Sequence, residues 1–122
     1  MKKHLTLFAL IPLISCCQKN PDKEIRHFLN SSRPTEIIIG ALEAGDTGDK
    51  QYVPLLLNDL DDPSVSTSLK YKGFSVYTEK MYALEQILKS KPPHPYGGIL
   101  RKPDSTNIKF YNDLWRKMNS SK

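Results

Sequence analysis

Residues 53–65 read Val53-Pro54-Leu55-Leu56-Leu57-Asn58-Asp59-Leu60-Asp61-Asp62-Pro63-Ser64-Val65. Val53, Leu56, Leu57 and Leu60 recur at the spacing that lines one face of an α-helix. The pattern predicts a helix over 50–60, capped by Asp49 and closed by Asp61-Asp62-Pro63. Pro54 falls near the first turn, where its missing N–H costs little. A helix with one apolar stripe has to bury it against another element, so its partners are expected on either side in the chain.

Downstream, Thr78 is the expected cap of a helix over 79–89. Met81, Leu84, Ile87 and Leu88 supply its stripe, Ala83 is a small packing position, and Lys89 and Lys91 complement the helix C-terminus. Between the two helices the rhythm breaks. Ser68-Leu69-Lys70-Tyr71-Lys72-Gly73-Phe74-Ser75-Val76-Tyr77 reads either as a small β-hairpin around Lys72-Gly73 or as an irregular insertion. Upstream, Pro34 opens a helix carrying Ile37, Ile38, Ala41 and Leu42, expected to stop at Gly45. Asp46-Thr47-Gly48-Asp49 is a turn by composition, and its acids lack the alternating ligands and distal glutamate of a calcium loop. Pro21 opens an earlier helix with Ile25, Phe28 and Leu29 on one face, ended by Asn30-Ser31-Ser32. Beyond the connection Lys91–Gly98, a last helix runs from Asp104 or Ser105 to about Met118. It turns Ile108, Tyr111 or Phe110, Leu114 and Trp115 inward, and residues 119–122 fray. The expected fold is all-α: one domain over residues 23–118, a short stack of antiparallel helix pairs, with the insertion near 68–77.

The middle of the chain resembles a HEAT-type helical repeat. The residues that carry the resemblance are Val53-Pro54-Leu55-Leu56, Leu60, Asp62-Pro63-Ser64-Val65 and Ala83-Leu84-Glu85-Gln86-Ile87. Glu36–Leu42, with Gly40-Ala41-Leu42, looks like the second helix of a preceding repeat. The match covers roughly residues 36–88. In that family the Asp-Pro turn leads straight into the second helix, whereas here about ten further residues intervene. The resemblance implies helix pairs that bury their stripes against each other and against the next pair, and a surface that binds proteins.

The N-terminus carries an address. Met1-Lys2-Lys3-His4 is followed by an apolar run from Leu5 to Ile14, too short to span a bilayer stably. Leu13-Ile14-Ser15-Cys16 looks like the lipobox of bacterial lipoprotein signal peptides. That resemblance implies cleavage after residue 15, acylation of Cys16 and a lipidated tether over residues 16–22. Durable anchoring then comes from two or three acyl chains rather than one. Cys17, the residue after the acylated cysteine, is not Asp. By resemblance to Gram-negative lipoprotein sorting, the destination is the outer membrane facing the periplasm, in a host that has one.

Composition narrows the chemistry. Both cysteines, Cys16 and Cys17, sit at the cleavage site, so the domain uses no disulfide. The chain has no Cys/His cluster, nucleophile elbow or glycine-rich phosphate loop, and no cofactor, metal or enzymatic activity is expected. The 18 Lys and Arg, less Lys2 and Lys3, leave 16 against 13 acids. Their distribution is two-sided: seven acids and one base lie over 36–62, and eleven bases and four acids over 70–122. The exported address and the absence of a basic-aromatic ladder argue against nucleic acid as a partner. The function expected is a non-catalytic protein-binding or scaffold lipoprotein of the cell envelope. The alternative is a periplasmic immunity or inhibitor lipoprotein that neutralises a toxic enzyme. Tyr71, Lys72, Phe74 and Tyr77 in the insertion are the expected partner-binding residues, because loops on rigid scaffolds carry function and tyrosine is a frequent interface anchor.

Overall fold

The computed structural model describes residues 20–99 and 101–121. The expected signal peptide over 1–15, Cys16 and the start of the expected tether lie outside the described residues. Five α-helices form among those described: α1 (Pro21–Leu29), α2 (Pro34–Thr47), α3 (Val53–Leu57), α4 (Val76–Leu88) and α5 (Ser105–Ser120). No described helix is long and apolar enough to cross a membrane.

Local chemistry sets most of the boundaries. The Asn20 side chain caps α1, with Pro21 in the first turn. α2 likewise opens on Pro34 but continues through the expected stop at Gly45 to Thr47, where Gly48 at φ 68° ends it. Gly45 is inside the helix because α4 crosses there: a Cβ on Gly45 would lie 3.1 Å from the Ala83 Cα. Asp49 caps as expected, accepting from the Gln51 N–H, but the helix foreseen over 50–60 is a 3-10 turn at Lys50–Tyr52 followed by the short α3. Asp59 at φ 50° breaks it, although Leu60 still reaches the core. Lys80, 3 % exposed, donates to the Asn58 carbonyl at 2.6 Å and so places a cation at the α3 C-terminus. Burial pushes the Lys80 ammonium pKa down, and Asp59, Asp62 and Asp61 oppose that shift. α4 is capped by Ser75 rather than Thr78: the Ser75 Oγ accepts from the Thr78 N–H, and the helix starts at Val76. Asp104 caps α5 through the Thr106 and Asn107 N–H groups.

The helices form two layers. α2 packs on both α1 and α4, while α3 touches α1, α4 and α5. α2 and α4 run parallel, since Ile38 packs with Val76 and Gly45 lies against Ala83. Both pairs are separated by the same offset of 38 residues. One layer is therefore α2 and α4, and the other is α1, α3 and α5. The core lies between them, with Leu56, Met81, Leu84 and Tyr111 fully buried. Tyr111 seals the α5 end by donating its hydroxyl to the Ser90 carbonyl. Ile108, Phe110, Leu114 and Trp115 pack around it, half-buried.

The proline-rich connection is tied down rather than loose. Asn107 accepts from the His94 N–H and donates to the His94 carbonyl, and it also donates to the Tyr77 hydroxyl. The Tyr96 hydroxyl donates to Glu85 on α4 at 2.6 Å.

Candidate protein-binding surface

The insertion between α3 and α4 is closed at its base by backbone pairing. The Ser66 N–H donates to the Phe74 carbonyl and the Val76 N–H to the Ser64 carbonyl, giving one antiparallel bridge, Val65 to Ser75. The alternative of a β-hairpin around Lys72-Gly73 is not formed. Residues 68–74 instead make successive turns, with the Tyr71 N–H on the Ser68 carbonyl and the Phe74 N–H on the Tyr71 carbonyl. Ser68-Leu69-Lys70-Tyr71 alternates as a strand would, but its apolar face is not fully covered, since Leu69 is left exposed, and the turns form instead. A side-chain anchor holds the loop to the stack: Ser66 Oγ, 4 % exposed, lies 2.7 Å from Thr35 Oγ1 on α2 and accepts from the Ser68 N–H.

The expected binding residues divide. Lys72 is exposed and Tyr71 half-buried. Phe74 is 39 % exposed, and its ring centroid lies 6.2 Å from that of Tyr71. The Lys70 ammonium sits 5.4 Å from the Tyr71 ring centroid, within reach of a cation–π contact. Tyr77 does not belong to this surface. It is the second residue of α4, fully buried, and its hydroxyl is spent on Asn107.

Two further exposed apolar residues are not singled out from the sequence. Leu69 is 91 % exposed at the loop tip, and Ile99 is 73 % exposed on the connection after α4. Ile99 reaches the insertion because Gly73 has no side chain: its Cγ2 lies 2.9 Å from where a Gly73 Cβ would stand. Gly73 also takes φ 86°, a conformation costly for other residues. Around this contact lie two grooves. One, of about 600 Å³, is bordered by Val65, Thr67, Lys72 and Ile99. The other, of about 320 Å³, is bordered by Phe74, Glu79, Tyr82, Tyr96 and Ile99.

One close histidine–carboxylate pair lies apart from this surface. His94 Nδ1 lies 2.8 Å from the Asp104 carboxylate, which the contact holds below its ordinary pKa, helped by the Asn107 N–H. Both groups serve the α5 cap and the proline-rich connection. No group of three or more His, Cys, Asp or Glu side chains among the described residues is placed to hold a metal ion. The chain matches no protein-family model, no curated protein and no solved structure.

Proposed function

We propose that this chain is a lipid-anchored, non-catalytic protein-binding module of the bacterial cell envelope. Its body is a HEAT-type stack of two helix pairs, α1–α2 and α3–α4, closed by α5 in the position of a third repeat's first helix. The constant 38-residue offset between α2 and α4 supports the repeat reading, being near the roughly 40 residues of such a unit. The observation that carries the binding reading is that Phe74 and Ile99 stand exposed on one groove, with Leu69 exposed on the same insertion beside Lys70, Tyr71 and Lys72. Large apolar side chains left exposed together with aromatic and basic neighbours are the composition of a protein interface.

The lipid anchor rests on Leu13-Ile14-Ser15-Cys16. The test is metabolic labelling with an alkynyl palmitate, followed by membrane fractionation. The chain takes up label and sediments with the outer membrane, and Cys16→Ser abolishes the label and accumulates precursor. Label retained by Cys16→Ser contradicts the anchor.

A further inference from the structure

Six polar or charged residues are buried among those described, and five of them, Ser66, Ser75, Thr78, Lys80 and Asn107, make side-chain hydrogen bonds. Glu79 is the sixth. It is 8 % exposed, and its carboxylate has no hydrogen-bond or ion-pair partner among the described residues. The residue is largely covered, yet its carboxylate oxygens still reach solvent, so the charge is engaged by no protein group among the described residues and is open to an incoming cation.

The carboxylate borders the 320 Å³ groove between α4 and the 96–99 loop. Three aromatic residues, Phe74, Tyr82 and Tyr96, line the same groove, with Ile99 at its edge. The Tyr96 hydroxyl is tied to Glu85, which fixes that ring in place. Lys80 follows Glu79 in sequence but leaves the groove for the Asn58 carbonyl. Among the described residues, Glu79 is thus the only charged side chain lining a groove otherwise built of rings, Thr78, Ile99 and two glycines. Aromatic rings around a carboxylate attract a cation through both ring quadrupole and charge, and disfavour a neutral or anionic group.

We propose that this groove receives the guanidinium or ammonium end of an Arg or Lys side chain presented by the protein partner. The cation preference stands on the groove itself, and the protein source rests on the binding function proposed above. Glu79 carries the charge complement, and Tyr82, Tyr96 and Phe74 supply the walls.

The probe is N-acetyl-arginine methylamide, with its citrulline counterpart as the neutral isostere, titrated into the full chain. Binding is followed by NMR at the Tyr82, Tyr96 and Phe74 ring protons and the Gly97 and Gly98 amides. The arginine amide shifts these signals saturably at millimolar concentration, and citrulline acts at least tenfold more weakly. Glu79→Gln loses at least tenfold in affinity while keeping its helical spectrum, and Tyr82→Leu loses several-fold. An equal response to citrulline, or unchanged affinity in Glu79→Gln, overturns the proposal. Phosphocholine binding more tightly than the arginine amide overturns the side-chain source. Arginine binding that persists while the Lys72 face makes no protein contact in cells counts against the interface, not against the groove.

Discussion

Gly40→Ala measures how closely α1 and α2 approach. A Cβ at Gly40 would lie 2.9 Å from the Phe28 Cβ, 3.0 Å from the Leu29 backbone N and 3.2 Å from the Leu29 Cγ. Two of these neighbours are held by the α1 backbone, so rotamer changes cannot clear the space, and α1 has to move away from α2. Overpacking of this kind costs about 1–3 kcal/mol. Alanine returns about 1 kcal/mol through helix propensity, leaving a net loss of up to about 2 kcal/mol. For a domain of this size each 1 kcal/mol corresponds to roughly 4–8 °C in Tm. Urea unfolding followed by circular dichroism at 222 nm reads the loss as a lower midpoint at similar slope. Gly48→Ala is the comparison, because nothing lies within 4 Å of its Cβ position and only the φ of 68° is strained. A Gly40→Ala variant more stable than the parent by the full helix-propensity gain of about 1 kcal/mol would refute the close helix contact.

Leu56→Ala and Leu84→Ala, both at fully buried positions, should each destabilise by about 2–5 kcal/mol in the same assay. Negligible change at both would contradict the two-layer packing. Glu79→Gln should behave oppositely at neutral pH. Burial raises the Glu79 pKa above 4.5 in the folded chain, so as pH climbs the unfolded chain loses this proton first and folding weakens. The variant should therefore be more stable than the parent at pH 7, with the advantage fading toward pH 4. Tyr96, whose pKa burial raises, stays neutral across this window. Destabilisation of Glu79→Gln at pH 7 would mean that the carboxylate has a structural partner.

The helical plan was legible because its signals are local. Pro21 and the Ile25, Phe28, Leu29 stripe place α1, and Asp104 places the start of α5. The misplacements arise where a distant neighbour overrides a local rule. Gly45 reads as a helix stop by itself, but α4 brings Ala83 against it and makes glycine the residue that fits. Thr78 and Ser75 are both competent caps, and the Val76 N–H bond to the Ser64 carbonyl favours the earlier start. That same shift draws Tyr77 into the core, removing it from the expected interface. Leu69 lay within the stretch expected to bind, whereas Ile99 carries no local mark. Its role depends on a contact with Gly73 that only the folded chain creates.

The protein-binding role of the insertion is tested most directly by placing a photo-crosslinking amino acid at exposed Lys72 in living cells, with exposed Asp46 on the acidic segment as the comparison. The account predicts one predominant covalent protein adduct from position 72, none from position 46, and loss of the adduct when Leu69 and Phe74 are both replaced by serine in a chain that keeps its helix content. An adduct from position 46 with none from position 72, or one indifferent to Leu69 and Phe74, would contradict it.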